Sequence, residues 1–155
     1  SIDFLEDAMV NILILVALGM SPINRARIGM VLALVLLGPA AATVWTAWEK
    51  FNAPIPPAPI PLSLAGIGAL AINLFCAFLL VRFRHHAGSL TRAAFLSARN
   101  DAFANVAIIA AGLITALMWS SVWPDLIVGA AIVIMNADAA REVWEAARGE
   151  HRAAA

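Results

Sequence analysis

Residues 28–51 read IGMVLALVLLGPAAATVWTAWEKF, and no charged side chain interrupts them before Glu49. The hydrocarbon core of a bilayer takes roughly 20 apolar residues of helix. This block reaches that length by itself. It lacks the polar–apolar alternation of a membrane β-strand. Four further blocks flank it, at 3–20, 62–83, 90–119 and 123–148. The composition agrees. Of 155 residues, 63% are hydrophobic and 13% charged, and the mean hydropathy is +0.88. A soluble domain of this size could not bury that much apolar surface, and a disordered chain would carry far less of it. Cys76 is the only cysteine, so no disulfide scaffold is available within the chain. A net charge of zero gives no basis for nucleic-acid binding. The expected fold is an all-α membrane protein, with five transmembrane helices in one domain.

Breakers and charges set the topology. The first block stops at Ser21-Pro22. Residues 53–61, APIPPAPIP, hold five of the eight prolines and cannot be helical. Pro124 opens the fifth block at a favoured first-turn position. With alternate crossings, Arg25, Arg27, Arg82, Arg84, Arg92, Arg141, Arg148 and Arg152 fall on one side, with Arg99 nearest to it. Lys50 alone falls on the other. Positive residues favour the cytoplasm. The arginine side is therefore expected inside, with the C-terminus, and the proline stretch outside. Trp45, Trp48, Trp119 and Trp123 gather toward the outer face, as an aromatic belt would. The first helix then runs inward from outside, which leads one to expect a further helix upstream of Ser1, six in all. The polar end of the fifth helix leads one to expect no soluble C-terminal domain.

Ionisable groups inside membrane helices are costly and are functional candidates by default. Asp3, Asp7 and Asn11 recur every four residues and share one face of the first helix. Ser97, Asp101 and Asn105 repeat that spacing on the fourth. Counted from the cytoplasmic ends of their helices, Asp7 and Asp101 lie at roughly 20 Å and roughly 17 Å. Asp3, Asp7 and Asp101 could therefore meet between antiparallel helices. Three carboxylates in a low-dielectric site would not all stay ionised. A divalent cation neutralises them, and protons can replace it when it leaves. This is the physical core of a proton-coupled metal transporter. Plainer readings compete. Asp3, Glu6 and Asp7 suit a helix N-terminus through the macrodipole. Asp101 could cap a helix whose apolar run starts at Ala102. Asn11, Asn73 and Asn105 could be interhelical hydrogen-bonding groups. His85 and His86 lie in a basic inner loop with no specific task, and Glu142, Glu145, Arg141 and Arg148 suit a solvated face with helix-spaced ion pairs.

The segments SIDFLEDAMVN (1–11), SARNDAFANVAIIAAG (97–112) and WPDLIV (123–128) resemble three segments of the cation diffusion facilitator family, which comprises divalent-metal/proton antiporters for zinc, cobalt, cadmium and related ions. The family pattern is D-x3-D on one helix and H-x3-D or D-x3-D on a later one. Asp3 and Asp7 match the first, Asp101 matches the second residue of the second, and Asn105 matches an Asn often found one turn on. The nearest likeness is to a compact bacterial branch. Ser97 stands where the family's ligand is often His. Ser97, Asn100 or water would then complete the shell, with Asn11 and Asn105 close by. An all-oxygen site suits manganese and, with poorer fit, iron and cobalt, whereas imidazole suits zinc. The resemblance implies metal efflux across the cytoplasmic membrane by alternating access, no cofactor beyond the transported ion, and a homodimer. Two other functions fit the composition: a membrane-embedded, metal-dependent enzyme of lipid metabolism, and a membrane interaction module that transports nothing.

Overall fold

A computed structural model of the protein describes the backbone of residues 2–53, 64–81, 88–118 and 121–155, and the side chains within them from residue 9 onward, except 64–69, 72, 80 and 116. Six helices follow one another: α1 (Ile2–Ala17), α2 (Pro22–Val35), α3 (Gly38–Asn52), α4 (Leu64–Leu80), α5 (Ser89–Leu117) and α6 (Trp123–Ala154). No strand occurs among the described residues. The expected proline-stretch conformation, the placement of Arg82 and Arg84, the idle His85 and His86, and Trp119 in the aromatic belt all lie outside the described residues.

Three prolines set helix boundaries. Pro22, Pro39 and Pro124 each sit at the first or second position of a helix, where a missing N–H costs nothing. Pro39 corrects the sequence reading. The block at 28–51 was expected as one uninterrupted helix, but it forms the end of α2 and all of α3. Inside a continuous helix the Pro39 ring would strike the carbonyl four residues back, at Val35. The ladder instead tightens, with Leu37 N donating to Leu34 O at 3.1 Å, and restarts at Gly38. The two halves together, Pro22–Asn52, are long and apolar enough to cross a bilayer, and Met9–Leu18 is a shorter apolar helix. Other bounds shift as well. α2 begins at Pro22 rather than 28, α1 ends at Ala17 rather than 20, and α6 continues to Ala154 rather than 148.

The helix α6 is the central member. It packs on α2, α3 and α5; α4 lies on α5; α1 lies on α2 and touches α5. The core joins Leu32 and Ala33 of α2 with Leu36 just past its end, Ala93, Phe95 and Leu96 of α5, and Ala139, Ala140 and Val143 of α6. Small residues let the backbones approach. Gly29 is buried where α2 meets α5 and α6, and a Cβ there would come within 2.9 Å of the Ala147 Cβ. Gly129 plays the same part between α6 and α3, with Thr43 Cγ2 3.2 Å from where its Cβ would be. The outward faces are apolar: Trp45 is 66% exposed, Phe78 74% and Leu117 78%. Such a surface suits hydrocarbon and would associate in water.

Beyond the apolar part of α6, its exposed face carries the helix-spaced pair Arg141–Glu145 at 2.8 Å, and Arg92 of α5 reaches Glu142 at 3.6 Å. Glu150 caps the neighbouring helix. Its carboxylate accepts from Ser89 N at 2.5 Å and from Ser89 Oγ at 2.7 Å. The N-cap residue Gly88 offers no side chain, so α6 supplies the acceptor that α5 lacks. Glu150→Ala should cost about 1 kcal/mol, the usual worth of a lost cap. A detergent melting curve unchanged by this substitution would show that the cap is idle.

Candidate functional site

The competing account of Asp101 as a helix cap does not hold. The helix α5 begins at Ser89 and runs unbroken to Leu117, so Asp101 lies twelve residues inside it. A carboxylate in mid-helix gains nothing from a helix end, and its reason for being there must come from what it faces. Ser97, one turn earlier, is 8% exposed, and its hydroxyl donates to Asp101 Oδ2 at 3.5 Å, a long contact. Asn105 follows one turn later. Asp101 and Asn105 are both half-buried. They line a cleft of about 490 Å³ together with Thr43, Thr46 and Lys50 of α3, Asn73 of α4, and Asp125 and Asn136 of α6. The cleft is mostly apolar in its lining, with walls such as Ile108 and Ile132, and carries polar groups from α3, α4, α5 and α6.

Asn100 is adjacent to Asp101 in sequence but turns about 100° away around the helix. It is 1% exposed. Its Nδ2 donates to Asn136 Oδ1 at 2.9 Å and to Met135 O at 3.3 Å. Its Oδ1 accepts from Arg99 Nη2 at 3.0 Å and Nε at 3.2 Å. The bonds to Asn136 and Met135 pin α5 to α6, and Asn100 is not among the residues lining the cleft. Asn136, its partner, does line it. Asn11 is exposed on α1, one turn beyond Asp7.

The side chains of Asp3, Glu6 and Asp7 lie outside the described residues, and so does their expected convergence on Asp101. Among the residues that are described, no three of His, Cys, Asp and Glu come close enough to hold a metal. The backbone does establish a register. Ile14 in the last turn of α1 and Leu18 just after it line the same cavity as Ser89 and Leu90 at the start of α5. These two helix ends are level. Asp7 stands ten residues before Ala17 and Asp101 twelve after Ser89, which gives heights of about 15 Å and about 18 Å. Two acid-bearing helices are neighbours, with acids at similar depth.

Reading for spaced acids and amides in apolar runs finds Asp101 and Asn105. It gives no role to Thr43, Thr46, Lys50, Asp125 and Asn136. Asn136 had a usable signal, an amide inside the apolar run VIMNA. Lys50 and Asp125 form an ion pair between α3 and α6, but each alone is an ordinary charge near a helix end.

A family model described as the cation efflux transmembrane domain matches residues 5–148. No curated protein matches the chain.

Proposed function

The chain belongs to the cation efflux family, and on that premise we propose that it exports a divalent transition-metal cation from the cytoplasm in exchange for protons. Membership makes it a membrane-localised transporter of cations, which favours transport over a lipid-acting enzyme or a passive interaction module. Asp101 carries the finer reading. It is a carboxylate in mid-helix, opening on a cleft that carries polar groups from four helices, beside a helix that bears Asp3 and Asp7 at similar depth. Asp3, Asp7 and Asp101 bind the ion. Ser97 orients Asp101 or completes the shell, and Asn105 and Asn11 extend the polar face on either helix. Asn100 contributes indirectly, by holding α5 against α6.

The substrate is zinc, cobalt or cadmium, with manganese or iron suited by a donor set of oxygens alone. The protein sits in the cytoplasmic membrane with several crossings, its arginine-bearing ends and C-terminus inside. Transport rocks the site between the two faces, and two copies of the chain associate in the bilayer.

Metal and protons compete for the same carboxylate oxygens. Cation affinity is therefore expected to fall as pH drops from about 8 to about 5, with protons released on binding. Calorimetric titration of the purified protein with zinc or manganese, in buffers of different ionisation enthalpy, measures that release. Affinity that stays flat across this range would exclude carboxylate ligands.

A further inference from the structure

We propose that the Lys50–Asp125 ion pair closes the cleft at the end remote from Asp101, acting as a tethered cation that must withdraw before the transported ion can pass. The cleft is long. Its lining runs from Pro39 to Lys50 on α3 and from Asn136 to Asp125 on α6, eleven residues on each, or about 17 Å. Asn136 hydrogen-bonds the residue next to Asp101, so the inner end is level with Asp101. Lys50 and Asp125 mark the other end. Lys50 lies two residues from the end of α3, and Asp125 is the third residue of α6.

Both partners line the cleft, and both are partly buried, with side chains 31% and 23% exposed. That position separates a closure from a simple clasp. Each charge already suits its own helix end, Lys50 at a C-terminus and Asp125 at an N-terminus, so a clasp would be as well placed on the outer surface of the bundle. Here the ammonium projects where a departing cation must go. With Lys50 seated, its ammonium neutralises Asp125 and fills the place a cation would take beside that carboxylate. The lysine stem is flexible and can carry its charge out to the interface. Once it does, Asp125 offers a bare carboxylate that draws the ion outward from Asp101. A single side-chain movement thus turns the exit from blocked and neutral to attracting. Lys50 is the only lysine in the chain.

The role in export rests on the transport reading of Asp101, whereas the closure itself rests on the cleft. The test reads the closure without transport. In full-length protein carrying Cys76→Ser, a reporter thiol is placed on the cleft wall by Ala104→Cys. Its reaction rate with a cationic methanethiosulfonate is followed in detergent. Lys50→Gln should raise the rate roughly fivefold, the ratio that about 1 kcal/mol gives. The exchange Lys50→Asp with Asp125→Lys keeps the pair and should return the rate toward that of the parent. In the parent pair, raising salt from about 0.1 M to about 1 M shortens the screening length from about 10 Å to about 3 Å and should also speed labelling. That arm needs no change at Lys50 or Asp125, so a misfolded variant does not spare the proposal. Equal rates with and without Lys50, or a parent rate indifferent to salt, overturns the closure even where Asp101→Asn abolishes transport. Conversely, if Asp101→Asn transports normally while the labelling pattern holds, the closure stands and the site assignment fails.

Discussion

Asp101→Asn is expected to abolish metal transport in proteoliposomes while leaving a folded protein in the membrane. Asn keeps the size of Asp and removes its charge. Loss of groups that merely support a metal ligand costs 10- to 100-fold in affinity or activity, so removing a ligand should cost at least about 100-fold. The fold should survive because Asp101 caps nothing: α5 starts twelve residues earlier, on a cap supplied by Glu150. Asp3→Asn and Asp7→Asn should behave alike. Glu6 lies about 100° around α1 from Asp7, so Glu6→Gln should be milder. Ser97→His places an imidazole one turn from Asp101 and should shift preference toward zinc. Full transport by Asp101→Asn would sink the site assignment, and transport by all three Asp variants would sink the carboxylate mechanism.

Asp101 and Asn105 were legible in the sequence because polar groups in an apolar run are expensive and helix spacing places them on one face. The family could be read for the same reason: its motifs are those expensive residues in order, and the match over residues 5–148 agrees. Contacts between distant segments were not legible. Lys50 and Asp125 are 75 positions apart, and Ser89 and Glu150 are 61 apart. In each pair both residues look complete as local features. Asn100 misled for a rotational reason. It borders Asp101 in sequence, but one step around the helix turns it onto α6, where its amide group is fully engaged. The break at Pro39 was readable in principle, since a proline inside an apolar block always removes one rung of the ladder. The strength of the hydrophobic signal masked it.

Gly29→Ala sets two effects against each other, and the packing effect is expected to win. By helix propensity alone, Ala is better than Gly by about 1 kcal/mol. At Gly29, however, the added methyl would overlap Ser89 Oγ and come within 2.9 Å of the Ala147 Cβ and 3.0 Å of the Ser89 Cβ. The Ser89 hydroxyl cannot simply rotate away, because it donates to Glu150 at 2.7 Å in the cap of α5. The Ala147 methyl is fixed to its backbone. Relief requires α2 to move off α5 and α6, and overpacking of this kind costs about 1–3 kcal/mol. The net change should be a loss of up to about 2 kcal/mol after the propensity gain, with Gly29→Val losing more. Gly112, in mid-α5, is the control, since a Cβ there meets nothing within 4 Å. Gly112→Ala should be neutral or stabilising by up to about 1 kcal/mol. Because α2 braces the start of α5, Gly29→Val should also impair transport, although it touches no polar group of the cleft. Denaturation in detergent micelles compares the three variants directly. A Gly29→Ala protein as stable as Gly112→Ala would mean that the backbones of α2, α5 and α6 do not approach this closely.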